Sequence, residues 1–197
     1  MFTLFYFSSY GAKLTNPGFK SKVPMNIYLI GFMGSGKSFT GQQLAAALHL
    51  PFVDLDEQIE QTEKRSIAQV FESEGENYFR TLEAQLLRAT LADDPAVISC
   101  GGGTPCFHQN MDWINTNGLS IYLKASVPLL AKRLKKGQEH RPLIRGFNEL
   151  ELETYIAERL EQRELFYGQA EIIVIQDDNQ SLVPQLLEHV RLASLRF

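Results

Sequence analysis

The chain has 197 residues, 44% hydrophobic and 21% charged, with 14 Gly and 8 Pro, a composition that argues against disordered, collagenous and coiled-coil classes. That length suits one substantial core and is short for two domains with a linker, and no apolar run approaches the ~20 residues of a membrane-spanning helix. The net charge of −4 speaks against a broad nucleic-acid-binding surface, yet residues 1–53 hold four Lys and no acid, and all 23 Asp and Glu lie from Asp54 onward.

Residues 1–24, MFTLFYFSSYGAKLTNPGFKSKVP, place five aromatic residues in the first ten positions. They lack the basic start and continuous apolar stretch of a secretory signal, and are expected to be a loosely ordered extension or translated sequence upstream of a start at Met25. The folded domain is expected over 25–197. MNIYLI at 25–30 predicts a buried strand. It runs into GFMGSGKS at 31–38, which fits GxxxxGK[ST]. In such a loop glycines let backbone N–H groups turn inward around phosphate oxygens, and the next helix adds its positive N-terminal end. The lysine reaches the β- and γ-phosphates and the hydroxyl ligates Mg²⁺. KSFTGQQLAAAL at 37–48 has helical spacing, and Pro51 stops the helix from continuing. The lack of acids before Asp54 suits a loop that holds phosphate, so the predicted ligand is a nucleoside triphosphate.

A short strand at 52–55 brings Asp54 and Asp56. One residue apart, the two carboxylates are expected on one face, at the carboxyl edge of a parallel sheet where ligands bind. There they can serve a metal-bound water and an attacking hydroxyl, or simply cap the next helix. Helical stretches come next, at 66–71 and 76–91. In the second, Glu76, Arg80 and Glu83 recur at i, i+4 and i+7 as a polar stripe opposite the leucines, a spacing an exposed ion-pair ladder shares. AVISC at 96–100 predicts a strand that enters Gly101, Gly102 and Gly103, which either turn the chain or let amides approach a ligand closely. Strands at 119–123 and 172–175, with helices at 127–136, 149–166 and 181–193, complete an alternation that indicates a parallel sheet covered on both faces. GQEHRPLIRGFN at 137–148 reads as a long polar loop. It continues a basic cluster of Lys132, Arg133, Lys135, Lys136, Arg141 and Arg145, which is either a solvated helix end or a mobile carrier of an arginine to phosphates. Arg163 lies four residues before Tyr167, near the end of its helix. Cys100 and Cys106, without CxxC spacing, fit a reducing cytoplasm better than a disulfide framework or a zinc site.

In order and spacing, GFMGSGKS, FVDLD, SIAQVFESEGENYFRTLE, VISCGGG, RPLI and RELFYGQA resemble the shikimate kinase family, part of the nucleoside-monophosphate-kinase-like P-loop proteins, from Met25 to the C-terminus. The resemblance implies an α/β, three-layer P-loop fold with a five-stranded parallel sheet in the order 2-3-1-4-5. It adds a helical substrate-binding region at 54–92 and a lid at 137–148. It implies ATP-dependent phosphorylation of the 3-hydroxyl of shikimate, in chorismate and aromatic amino acid biosynthesis, with ATP and Mg²⁺ as cofactors. On the matching positions, Asp56, Arg80, Glu83, Gly101, Gly102, Gly103 and Arg163 hold shikimate, while Gly34, Ser35, Gly36, Lys37, Ser38, Phe39, Arg133 and Arg141 hold the nucleotide. Ser38 ligates Mg²⁺ and Asp54 holds it through water. Lys37, Asp54, Asp56 and Arg141 are the catalytic set, with Asp56 orienting the attacking hydroxyl and Arg141 closing from a lid expected to be mobile without ligand. Two positions depart: Lys64 stands where the family usually has glycine, and Cys100 where a small hydroxylic residue is commoner. The remaining expectations are a cytoplasmic monomer that binds neither nucleic acid nor membrane. A kinase for another small polyol acid such as gluconate, or a non-catalytic nucleotide-binding module, stands as the alternative. The absence of an NKxD motif weighs against a GTP-driven switch.

Overall fold

The computed structural model describes residues 23–91, 94–177 and 181–195; the expected extension lies outside the described residues up to position 22. Five short apolar runs form β1 (Asn26–Ile30), β2 (Phe52–Asp54), β3 (Val97–Ser99), β4 (Gly118–Lys124) and β5 (Ile172–Ile175). They pair in the order β2-β3-β1-β4-β5, every pairing parallel, with Ile27 opposite Val97 and Leu119. All five residues of β1 are buried because both faces of the sheet are covered. Ile27, Leu29, Ile121 and Val174 pack against α1 (Lys37–Leu48) and α7 (Val183–Ser194). Tyr28, Ile30, Ile98 and Tyr122 face the opposite layer, built from α3 (Ile67–Ala89), α4 (Asn110–Asn117), α5 (Val127–Lys135) and α6 (Glu149–Tyr167). Val23 is buried in the same cluster as Ile27 and Val190. Among the described residues no helix is long and apolar enough to cross a membrane.

At the amino edge of the sheet, Asn26 ties three segments together. Its Nδ2 donates to the Thr90 carbonyl at 3.0 Å, and its Oδ1 accepts the Ala96 N–H at 2.9 Å. This fixes the end of α3 and the entry to β3, so the loops at the opposite, carboxyl edge are held by a rigid frame.

Two helices escaped the sequence pattern. The chain does not continue as strand to Leu55; it turns at Asp54 into α2 (Leu55–Glu63), whose first turn carries Asp56 and Glu57. Asp54 is the N-cap, its Oδ1 accepting the Asp56 N–H at 3.0 Å, and acids in a first turn favour the positive helix end. Only Leu55 and Ile59 of α2 are buried, too few to show a period. Helix α4 likewise buries only Asn110, Met111 and Ile114. The two stretches expected at 66–71 and 76–91 are the halves of α3, divided at Gly75 with φ 82° and ψ 174°. The segment 137–148 is more ordered than a polar loop: it contains short 3₁₀ turns at Gln138–His140 and Pro142–Ile144. Ile144 is fully buried, and Gln138 Nε2 donates to the carbonyls of Ile144 and Phe147, both at 2.8 Å.

Lys64 ends α2 in the left-handed region, φ 54° and ψ 28°, which explains the glycine usual at this position: a β-carbon there crowds the backbone, whereas glycine does not. Lys64 is exposed, so the strain is local. Lys64→Gly is expected to raise unfolding stability by about 0.5–1 kcal/mol, measured by urea denaturation, with steady-state activity unchanged.

Candidate active site

The site lies along the carboxyl edge of the sheet, where the loops after β1, β2, β3 and β5 converge. After β1 the chain wraps through Gly31, Gly34 and Gly36, with φ of 143°, 81° and 84°. These values favour glycine and let successive N–H groups face a common centre. Gly36 is the N-cap of α1, which has no acid in its first turn, so the helix end stays positive. Lys37 is buried and donates to the carbonyls of Gly31 at 3.0 Å and Phe32 at 3.1 Å. Burial holds its ammonium below the ordinary lysine pKa, opposed chiefly by the nearby Asp56 carboxylate. Ser35 Oγ is the one buried side-chain polar atom without a partner among the described residues. An unsatisfied hydroxyl is costly, and an oxygen-rich ligand in the loop would relieve it.

Asp54 and Asp56 come together, but not on one strand face. Asp54 closes β2 and Asp56 opens α2. Asp54 does cap the helix, yet it is buried, and its second oxygen accepts from Ser38 Oγ at 2.5 Å. Ser38 Oγ also lies 3.3 Å from Ser99 Oγ. Asp56 is open to water on the cleft side and surrounded by protein on its others. That partial desolvation pushes its carboxyl up to about 6, with Lys37 pulling the other way and Asp54, Glu83 and Glu60 adding to the rise.

The turn after β3 draws in the remaining charged groups. A β-carbon on Gly101 would stand 2.7 Å from Glu83 Oε1 and 2.8 Å from Asp56 Oδ1, one on Gly102 3.2 Å from Arg163 Nη1, and one on Gly103 2.7 Å from Arg80 Nη1. The triplet is thus required by close approach rather than by positive φ. Glu76, Arg80 and Glu83 do form the ion-pair ladder expected from their spacing, with Arg80 to Glu76 at 3.2 Å and to Glu83 at 2.9 Å. Only its Glu76 end is solvated: the side chains of Arg80 and Glu83 are 11% and 1% exposed, against 57% for Glu76. Thr104 Oγ1 donates to Glu83 at 2.6 Å, and the Arg80 guanidinium lies 4.3 Å from the Phe107 ring centre, a cation–π contact. Arg163 donates to the Gly102 carbonyl at 3.1 Å and lies over Phe32. Two guanidiniums therefore flank the glycine turn, a geometry suited to a carboxylate.

On the other side of the phosphate loop, a cleft of about 470 Å³ is bordered by Ser35, Gly36, Phe39, Arg133 and Gln176 among others. Phe39 is 69% exposed, an unusual cost for an aromatic ring unless a flat apolar group covers it. Arg133 donates to Gln176 Oε1 at 2.7 Å and to the Gly34 carbonyl at 3.4 Å. Gln176 in turn donates to the Ser35 carbonyl at 2.9 Å. Arg141 is the one expected residue not gathered here. Its Nη1 donates to the carbonyls of Lys136, Gly137 and Leu134 at 2.9, 3.1 and 3.4 Å, capping the carboxyl end of α5.

Sequence reasoning missed Thr104 and Gln176. Gln176 had a usable signal, a polar residue directly after the last strand at the ligand-binding edge; Thr104 had none before its contact with Glu83 was known. Cys100 is buried in the core, and burial pushes its thiol well above the ordinary cysteine value, which keeps it out of the chemistry.

A family model described as shikimate kinase matches residues 33–191. The shikimate kinase of Parabacteroides distasonis is 42% identical over 146 residues, covering 74% of this chain and 84% of that protein. Among solved structures, shikimate kinase from Bacteroides thetaiotaomicron superposes with a TM-score of 0.80 at 35% identity, covering 85% of this chain and 98% of that one. The shikimate kinase of Acinetobacter baumannii, solved in complex with shikimate, gives a TM-score of 0.77 at 29% identity over 87% and 94% of the two chains. A gluconokinase from Sinorhizobium meliloti shares the fold, with a TM-score of 0.55 at 22% identity.

The raised carboxyl of Asp56 has a stability consequence with a definite sign. Its folded value of about 6 exceeds the ordinary 3.8, so the native state holds the extra proton and loses stability as pH climbs from about 4 through about 6. Asp56→Asn removes that loss. Its thermal midpoint is expected to match wild type near pH 4 and to exceed it at pH 8; a constant difference across the range would contradict the shift.

Proposed function

The chain belongs to the shikimate kinase family, and from that premise we propose how its own residues carry the γ-phosphoryl group of ATP to the 3-hydroxyl of shikimate. The observation that carries the residue assignment is the convergence on 101–103 of Arg80, Arg163, Glu83 and Asp56, one strand away from the phosphate loop. Arg80 and Arg163 clamp the substrate carboxylate, while Asp56, Glu83 and the backbone of Gly101, Gly102 and Gly103 hold the ring and its hydroxyls. Those contacts aim one hydroxyl at the loop, and positioning with charge neutralisation is most of phosphoryl-transfer catalysis.

On the nucleotide side, the amides of Gly34, Ser35 and Gly36 cradle the phosphates. Lys37 exchanges its carbonyl partners for phosphate oxygens, and Arg133 and Phe39 border the base. Asp56 is mostly ionised above pH 7 with a carboxyl near 6, so it can orient the attacking hydroxyl and take its proton. We assign Arg141 to the phosphates after the 137–148 segment releases it from the end of α5. Ser38 and Asp54 offer a hydroxyl and a carboxylate in direct contact, hard oxygen donors that fit Mg²⁺; Ser38 would ligate it and Asp54 would hold it through water. A bound Mg²⁺ supplies neutralisation of charge on the β- and γ-phosphates. The reading includes a monomer in the cytoplasm, a location the free thiols of Cys100 and Cys106 support.

Gluconate is the rival acceptor. It is a carboxylate too, but the gluconokinase likeness, at 22% identity, extends to the fold alone. A coupled ADP-release assay is expected to show turnover of shikimate and none of gluconate. In the same assay Arg80→Ala should raise the shikimate KM about 10- to 100-fold, the loss of a charged hydrogen bond, with the ATP KM little changed. Asp56→Asn should lower kcat by at least about 100-fold; near-normal kcat with a flat pH profile would remove the base role.

A further inference from the structure

The Gly102 carbonyl receives two donors from one face of α6. Arg163 Nη1 donates at 3.1 Å, and the Tyr167 hydroxyl, four residues further on, donates to the same oxygen. Together they fill both lone pairs of the carbonyl. Tyr167 is fully buried, with its ring 5.0 Å from that of Tyr122. Burial raises its phenol above the ordinary tyrosine value, so it remains a protonated donor throughout the working pH range. The peptide it grips joins two glycines, the linkage with the least intrinsic resistance to flipping. Because the peptide is planar and trans, a carbonyl pinned toward α6 forces the Gly103 N–H to point away from α6. Among the described residues neither the Gly102 nor the Gly103 N–H has a protein acceptor.

We infer that Tyr167 is a positioning residue for the acceptor substrate: its hydroxyl locks the Gly102–Gly103 peptide so that the Gly103 N–H is presented to shikimate, without touching shikimate itself. The inference rests on the shikimate kinase reading. Arg163 cannot supply the lock alone, because the same guanidinium is the one that turns to the substrate carboxylate. The Tyr167 side chain has no solvent access, so its hydroxyl holds the carbonyl whether or not Arg163 is engaged. The division of labour follows from side-chain chemistry: a flexible charged fork for the ligand, and a rigid neutral donor for the backbone.

The test is steady-state kinetics of Tyr167→Phe, with Tyr122→Phe as the matched control. The Tyr122 hydroxyl donates to Glu164 at 2.9 Å and belongs to the same ring pair, but it does not reach Gly102. Tyr167→Phe is expected to raise the shikimate KM about three- to tenfold and to leave the ATP KM and kcat within about twofold. Tyr122→Phe should leave the shikimate KM unchanged. An unaltered KM in Tyr167→Phe, or equal rises in both variants, would overturn the inference while leaving the activity standing. A wild-type enzyme inactive on shikimate would instead overturn the reading beneath it. Should Tyr167→Phe not fold, titration of ¹⁵N-labelled wild type with shikimate decides: the Gly103 amide resonance is expected to move on binding, and a Gly103 signal that stays fixed at saturation refutes the presentation of its N–H.

Discussion

At 101–103 the backbone runs so close to ionised side chains that β-carbons on Gly101 and Gly103 would lie 2.7 Å from Glu83 Oε1 and Arg80 Nη1. Three helices depend on that lack of side chains. Asp56 comes from α2, Arg80 and Glu83 from α3, and Arg163 from α6, and each reaches the same turn because nothing on it stands in the way. Opposite charges brought this close out of water need one another. Glu83 is 1% exposed and accepts from Arg80 and Thr104, and removing either partner would leave a buried carboxyl group short of donors. Packing and the proposed substrate recognition thus rest on the same few groups.

The second half of the site is placed by strand order. Because β1 lies between β3 and β4, the phosphate loop after β1 and the glycine turn after β3 are neighbours, and Cys100 N–H donates to the Leu29 carbonyl at 3.0 Å across the gap. Charges of opposite sign then meet between the loops, Lys37 against Asp54 and Asp56. Lys37 donates to loop carbonyls, neutral acceptors that a polyanionic ligand readily displaces. Ser38 bridges the halves by its contact with Asp54, so the phosphate loop and the acceptor side share a hydrogen bond.

Much of this was legible in the chain. The phosphate loop was, because glycines at fixed offsets before Lys37 and Ser38 satisfy a local geometric need. The five strands and helices α1, α5, α6 and α7 were, because burial on a whole face leaves a periodic trace over many residues. Helices α2 and α4 left none, since each is short and buries two or three residues. Asp54 and Asp56 illustrate the limit: their spacing fits a strand face as well as a cap leading into a first helical turn, and only the hydrogen bond from the Asp56 N–H to Asp54 distinguishes the two. The stripe of Glu76, Arg80 and Glu83 was similarly ambiguous. Its ion pairs follow from helical spacing, whereas its burial depends on Thr104 and Phe107, some twenty residues further along the chain. Arg141 shows the reverse case, a basic residue in the expected segment whose partners are the carbonyls of a helix end.

What the sequence determined by itself is local: which segments are apolar on one face, where glycines permit a phosphate loop, and which residue types stand ready for phosphate and carboxylate. Those properties are set by neighbours a few positions apart and by the fixed periods of helix and strand. The tertiary structure decided which charges are buried, that the Asp56 carboxyl rises to about 6, and that Tyr167 and Arg163 grip one carbonyl at Gly102. These are matters of distance and solvent exclusion between segments far apart in the chain. Electrostatic energy depends on separation and on surrounding protein, and neither exists until the sheet has ordered its strands.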